Sequence, residues 1–342
     1  MKGAAYMGGG RLQTVSVDVA PPGPGELQIA VAYCGLCGTD LHIVHGDMEA
    51  RVRTPLVFGH EVSGTVAAVG AGVQGWKAGD PLTVMPLVWD GTCPACLAGH
   101  QHICQNLVFL GIDSPGGLQL RWNVPAAIAV PIPSDLDLRT AALVEPVAVA
   151  VHDVRRSDLQ VGDHAVVLGG GPIGVLIAGV ARDAGAHVMV AEVDVSRRSR
   201  IAGLGIKVID PSSADMVAEV ERWTDGVGAD VVFEVSGAAA AARSTTALAK
   251  VRGTIVVVAI HSAARELDLQ RLFWRELRLL GARVYQRSDF DRAVELLRRG
   301  RIPAEAVISG VVPLEETASA INDLSAGRAM KILVDVAGEA QA

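Results

Sequence analysis

The stretch His164–Gly174, HAVVLGGGPIG, decides how this chain is organised. His164–Leu168 reads as a buried strand, and Pro172 and Ile173 open a helical pattern, PIGVLIAGVARDAG, running to Gly185. Gly169-x-Gly171-x-x-Gly174 alone is a weak signal, because Gly-rich turns are common. Set between strand and helix, with Glu192 ending the next strand roughly twenty residues on, it points to a dinucleotide site. Gly169 permits the tight turn, Gly171 lets the backbone approach a pyrophosphate, and Gly174 allows close helix–strand packing. The helix N-terminus then offers free N–H groups to the anion.

Toward the C-terminus the alternation continues. HVMVAE is a strand and SRRSRIAGLG a helix; Lys207–Asp210 is a strand and DMVAEVERWT a helix. DVVFEVSG, ARSTTALAK and GTIVVVAI then read as strand, helix and strand. Strands alternating with helices over this span predict an α/β, doubly wound parallel sheet. Before about Ala150 the character differs. ELQIAVAYC, EVSGTVAAVG, DPLTVMPL and AIAVPIP are short, Gly- and Pro-broken segments of the kind that form half-buried antiparallel strands. FDRAVELLRRG is a later amphipathic helix, after which the tail returns to mixed character.

Composition narrows the function classes. With 342 residues, half of them apolar, the chain has ample core for two domains. Its 38 glycines against 4% aromatics favour Gly-turned α/β layers over an aromatic-rich sandwich. The net charge of -7 with interspersed signs carries no basic patch, so no nucleic-acid partner is expected. The apolar run Ala165–Ala181 falls short of a membrane span and carries the glycine cluster, so no membrane partner is expected. The N-terminus lacks a continuous apolar leader core. Five cysteines, at 34/37 and 93/96/104, are odd in number and clustered, which favours a reducing, cytoplasmic setting.

YCGLCGTDLHIVHGD, Tyr33–Asp47, leaves a redox pair, a metal site and buried thiols all open. His60 and Glu61 of FGHEVSG lie twenty-three residues beyond Cys37. Thiolate, imidazole and carboxylate together make a plausible zinc set with one position open to substrate. Glu192 would accept the adenosine ribose hydroxyls and repel a 2'-phosphate, favouring NAD over NADP, whereas Arg197 and Arg198 pull the other way.

GLCGTDLH, GHEVSGTVAAVG, VQGWKAGD, VEPVAVAVHDV, VGDHAVVLGGGPIG and DVVFEVSG, in this order, resemble the zinc-dependent medium-chain dehydrogenase/reductase (alcohol dehydrogenase) family over essentially the whole chain. Within it the chain is most similar to the polyol branch of 2,3-butanediol, sorbitol and threonine dehydrogenases. The resemblance implies catalytic zinc on Cys37, His60 and Glu61, with Glu145 of VEP at or near the metal, and makes Cys34 a buried bystander. Asp40 then reads as an acceptor orienting the ligand histidine, or as an Asx turn. Thr39 and His42 would carry the proton outward once zinc has acidified the alcohol, and His45 has no matching role. At the cofactor, the resemblance adds Pro172, Ile173, Val258, Ala259, Ile260, Val284 and Tyr285 to the three glycines, Glu192 and Arg197.

DGTCPACLAGHQHIC resembles the family's structural zinc lobe, with Cys93, Cys96 and Cys104 in place and Asp90 where the first cysteine normally stands. A second zinc held by these four is expected, with His100 and His102 as substitute donors and a metal-free lobe as the alternative. Where relatives carry GGFAEY this chain has GGLQLRW, placing Arg121 or Trp122 at a pocket wall or an interface.

The resemblance thus implies a GroES-like β-barrel catalytic domain, 1–150 completed by 286–342, and a Rossmann NAD-binding domain, 151–285, with the active site in the cleft. It implies a homodimer or homotetramer. The expected activity is NAD-linked transfer of hydride from a small secondary alcohol, with a vicinal diol or its hydroxyketone favoured. Alternatives are a sorbitol, polyol or threonine dehydrogenase, a zinc-free NADPH quinone reductase, and a non-catalytic NAD sensor.

Overall fold

The structure, a computed structural model, describes residues 1–338. Contacts divide the chain into two compact units: Met1–Glu145 with the segment from Gln286 onward, and Pro146–Tyr285. In chain order the strands of the first half are β1 (Lys2–Tyr6), β2 (Leu12–Ser16), β3 (Glu26–Gly35), β4 (Leu56–Val57), β5 (Glu61–Val69), β6 (Pro81–Val84), β7 (Leu87–Val88), β8 (Val108–Phe109), β9 (Arg121–Pro125) and β10 (Ala129–Pro131). The second unit contributes β11 (His164–Leu168), β12 (His187–Ala191), β13 (Lys207–Ile209), β14 (Ala229–Glu234), β15 (Ala249–Val257) and β16 (Arg278–Gly281). The chain then returns to the first unit with β17 (Ile308–Pro313) and β18 (Lys331–Asp335).

In the first unit the main sheet runs β10-β6-β5-β3-β18-β17, with β9 also paired to β3. All neighbours are antiparallel except β17 and β18. Alternating burial along β3 places Leu27, Ile29 and Val31 in the core, the period-2 pattern that its sequence carries. β18 pairs with β3 next to Gly35, so the C-terminal segment supplies a central strand rather than an appendage. Trp122 does not face a pocket. It is 3% exposed on β9, and its indole Nε1 donates to Pro115 O at 2.9 Å, because β9 pairs through it with Ile29 of β3. Arg121 pairs with Ala30 one position away and is half-buried.

The second unit is a six-stranded, wholly parallel sheet in the order β13-β12-β11-β14-β15-β16. The strand order reverses at β11, flanked by β12 and β14, which is the switch point where open α/β sheets bind ligands beyond their strand ends. Val166, Met189, Val232 and Ile255 fill one core layer, the continuous apolar character that a strand covered on both faces requires. The run Ala165–Ala181 is split between β11 and the helix Pro172–Asp183, and among the described residues no helix is long and apolar enough to cross a membrane.

Candidate active site

The first cluster is assembled from three elements of the first unit. Cys37 is the N-cap of the helix Gly38–His45; its thiol accepts Thr39 N–H at 3.3 Å, while Asp40 Oδ2 accepts Cys37 N–H at 2.9 Å. This reciprocal capping fixes where the thiol points. His60 and Glu61 sit at the start of β5, where Glu61 pairs with Gly35 of β3. A Cβ on Gly35 would stand 2.1 Å from Glu61 Oε2, so this glycine makes room for the carboxylate. Ligand atoms of Cys37, His60 and Glu61 all lie within 4.8 Å of one another.

Two buried polar atoms beside the cluster lack hydrogen bonds: His60 Nδ1 and Asp40 Oδ1, which face each other at 3.7 Å. Burial lowers the pKa of His60, but Cys37, Asp40 and Glu145 outweigh it and hold the imidazole well above its ordinary value. Burial, followed by the charges of Asp40 and Glu61, raises the Cys34 thiol, which is fully buried. A thiol, an imidazole and a carboxylate brought this close, with further acidic groups around the buried histidine, make a donor set that a divalent cation suits, so the residues fit zinc. Glu145, in the first turn of the helix Val144–Arg156, is 4% exposed and acts electrostatically on His60, but lies outside the three-atom group.

Lys331 is the residue that sequence reasoning missed. It is 2% exposed at the start of β18, and its Nζ donates to both Glu61 oxygens and to Leu36 O. A lysine opening the apolar run KILVDV was the available signal. Cys34 and Cys37 are both free thiols. Thr39 is half-buried; His42 is exposed, with Nδ1 2.7 Å from Asp47 Oδ2. His45 is exposed and meets Ser325 Oγ through Nε2 at 3.2 Å.

The second cluster joins Asp90, Cys93, Cys96 and Cys104. Asp90 Oδ1 accepts Thr92 and Cys93 N–H, and Oδ2 accepts Asn106 Nδ2 at 2.6 Å. Gln105 and Asn106 N–H point at the Cys93 and Cys104 sulfurs, which stabilises thiolates. Burial, then the neighbouring Cys93 and Cys104, push Cys96 up to about 12, whereas backbone donors hold Cys93 below its usual range. These three thiols and a carboxylate fit a tetrahedral metal. His100 and His102 are not in the group; they contact each other edge-on, and His102 meets Gln286.

In the second unit, Gly169 has φ 112° and its carbonyl oxygen lies 1.9 Å from where a Gly174 Cβ would be, so both positions exclude side chains. Gly171 caps the helix Pro172–Asp183, with open space on its Cβ side out to Arg197 Nη1 at 4.0 Å. Glu192 is bound on both oxygens, accepting Gly170 N–H at Oε2 and Asp194 N–H at Oε1, each at 2.8 Å. Arg198 is spent on the carbonyls of Glu192 and Val193 and on Asp210, whereas Arg197 Nη1 stands 3.7 Å from Glu192 Oε2 beside the loop. The donor-lined cradle fits a dinucleotide phosphate.

At the carboxyl end of β15, Val258 and Ala259 N–H both go to Glu234 O, and Ile260 is exposed. Glu234 itself pairs with His261 at 2.9 Å. Val284 holds φ 50°, which is strained for a β-branched residue, beside the fully buried Tyr285.

Residues 23–134 match the family model for the alcohol dehydrogenase GroES-like domain, and residues 172–299 that for zinc-binding dehydrogenases. The chain belongs to the zinc-dependent medium-chain alcohol dehydrogenase family: a GroES-like domain joined to a Rossmann-type sheet, an oxidoreductase using zinc and a nicotinamide dinucleotide. Within that family it falls among the polyol and sugar-acid dehydrogenases. It is 49% identical over 340 residues, 99% of this chain and 100% of the relative, to 2-dehydro-3-deoxy-L-galactonate 5-dehydrogenase of Pseudoalteromonas atlantica. Among solved structures it resembles 2R,3R-butanediol dehydrogenase of Bacillus subtilis (TM-score 0.90, 30% identity, 98% and 99% of the two chains). It also resembles a zinc-binding dehydrogenase of Sinorhizobium meliloti bound to NADP (TM-score 0.91, 33% identity, 98% of each chain).

Proposed function

We propose that this enzyme oxidises a secondary hydroxyl of a small sugar acid, one flanked by a second hydroxyl, with NAD as preferred acceptor. The observation that carries the reading is the clustered Cys37–His60–Glu61 donor set, with the buried His60 Nδ1 facing Asp40 Oδ1 at 3.7 Å. The relative at 49% identity, named for a sugar acid, supports this substrate class over the simple butanediol that the sequence resemblance favoured. The expected vicinal diol survives as the local pattern around the reacting carbon.

Zinc held by Cys37, His60 and Glu61, with Glu145 alongside, would supply the Lewis acidity that makes the hydroxyl proton easy to lose. Asp40 would hold His60 in one tautomer by accepting from Nδ1. Thr39 would receive the hydroxyl proton and pass it on toward His42. Asp47, 2.7 Å from His42 Nδ1, keeps that hydrogen in place and frees Nε2 as the terminal base. Glu192 would accept ribose hydroxyls with the lone pairs that Gly170 and Asp194 leave, and the open side of Gly171 would admit the pyrophosphate. Pro172, Ile173, Val258, Ala259, Ile260 and Val284 would line the rest of the dinucleotide, with the fully buried Tyr285 supporting Val284 from behind, and Asp90 with its three cysteines would hold a second zinc. A cytoplasmic homodimer or homotetramer completes the proposal.

The test is initial-rate NAD reduction with L-galactonate, 2-dehydro-3-deoxy-L-galactonate, 2,3-butanediol, xylitol and ethanol. A kcat/KM for the best sugar acid at least ~100-fold above every neutral alcohol is expected, since sites built for a polar group discriminate strongly against analogues lacking it. Equal or better efficiency with butanediol would remove the sugar-acid reading.

A further inference from the structure

Arg51 follows the helix Gly38–His45 on a loop of the same unit as the donor cluster. Its guanidinium lies along Asp113, with Nε donating to Oδ1 at 2.6 Å and Nη2 to Oδ2 at 2.7 Å. Asp113 Oδ2 also accepts Phe109 N–H at 2.7 Å, and Asp113 N–H returns to Phe109 O at 2.8 Å. The Phe109 ring stands edge-on to His60, with centroids 5.3 Å apart and planes at 86°. Phe109 therefore touches both groups: its backbone holds the Asp113 carboxylate that orients the guanidinium, and its ring packs on a residue of the donor set.

We infer that Arg51 is the receptor for the carboxylate of the substrate, and that it selects hydroxy acids over neutral polyols at this site. The inference rests on the sugar-acid reading above and names the residue that enforces it. Three observations carry it. Asp113 occupies two of the five guanidinium donors, and the Nη1 pair together with the second Nη2 hydrogen remain available for another planar anion. The side chain is 39% exposed while Asp113 is 19% exposed, so the fork is anchored from beneath and open above. Because Asp113 is also tied to the Phe109 backbone, the fork is held before substrate arrives, which lowers the entropy lost on binding.

Charge-assisted, bidentate contacts of this kind are among the strongest polar contacts in binding. A neutral polyol offers the fork no charge to match.

The experiment compares a sugar acid with the alditol of the same length and configuration in wild-type holoenzyme, Arg51→Gln and Arg51→Lys. The acid-over-alditol ratio of kcat/KM should fall at least ~30-fold in Arg51→Gln, carried by KM for the acid, with Arg51→Lys intermediate because one ammonium replaces the fork. In parallel, the deoxy acid lacking the reacting hydroxyl should raise the Tm of wild type but not of Arg51→Gln. A wild type with no preference for the acid overturns the sugar-acid reading and this role together. Preference kept in Arg51→Gln, or acid and alditol efficiency falling in parallel, overturns the role of Arg51 alone. A polyol phosphate ester that outperforms the acid overturns the carboxylate as the anion recognised.

Discussion

Lys331 Nζ lies 2.6 Å from Glu61 Oε1 and 2.7 Å from Oε2, and both residues are 2% exposed or less. The pair links the start of β18 to the start of β5 through a position that is not adjacent to Glu61 in the sheet, and it neutralises a carboxylate that solvent cannot reach. Burial lowers the lysine pKa, but Glu61, Cys37 and Glu145 outweigh it and raise the group above its ordinary value. The ammonium thereby gives the anionic cluster a fixed positive charge from the protein itself.

Breaking a buried pair by removing one partner costs about 3–5 kcal/mol, because the other charge is left without compensation. Lys331→Met should therefore destabilise the chelator-treated protein by about that amount in urea unfolding. Zinc should restore part of the loss, since a cation could then compensate Glu61. An unchanged urea midpoint would mean that the pair contributes no net stability.

For the cofactor, Glu192→Ala removes a carboxylate and leaves the N–H groups of Gly170 and Asp194 without their acceptor. Preference should move toward NADP by at least ~10-fold in the kcat/KM ratio, with Arg197 free to meet the added phosphate. Stability should fall by about 1–3 kcal/mol from the unmatched donors. A wild type that already favours NADP would show that Glu192 does not set the choice.

At the cysteine-rich lobe, two zinc ions per chain are expected by elemental analysis. Asp90→Asn keeps an acceptor for Thr92 and Cys93 N–H but loses the charge, so it should release one zinc and leave the other. Asp90→Cys should retain both. One zinc per wild-type chain, lost in Cys37→Ser, would leave the lobe without a metal.

Within the second unit, the His164 and His187 rings lie tilted against each other at the N-terminal ends of β11 and β12, with centroids 5.0 Å apart and Trp223 edge-on to His164. Burial, then the charge of His187, lowers the His164 pKa against the opposing effects of Asp230, Asp163 and Asp225. A lowered histidine pKa means that the unfolded chain binds more protons. Its stabilising contribution is therefore present above the unfolded value of about 6.5 and is lost as pH falls through the folded value. The urea midpoint of wild type should drop between pH 7.5 and 5.5, and His164→Gln should lessen that drop. An identical pH dependence in the variant would remove His164 from the account.

Local sequence carried the parallel sheet and its phosphate loop. β11, the glycines and the helix Pro172–Asp183 are contiguous, and period and turn chemistry suffice to read them. Small differences lie at ends: the helix stops at Asp183, two residues before Gly185. The edge strand β16 gave no signal, because its residues are mostly exposed and lack a two-residue alternation of burial. Residue types at their spacing suggested the candidate donors Cys37, His60 and Glu61, and the family resemblance added Asp90, since coordination chemistry restricts residue types more tightly than packing does. Tertiary structure alone decided how these donors are held. Lys331 reaches Glu61 across 270 positions, Asp113 reaches Arg51 across 62, and Trp122 turns into the core because β9 pairs with β3. No local period encodes such pairs: strand order and register determine which distant side chains share one buried volume, and burial then makes each unpaired charge too costly to leave alone.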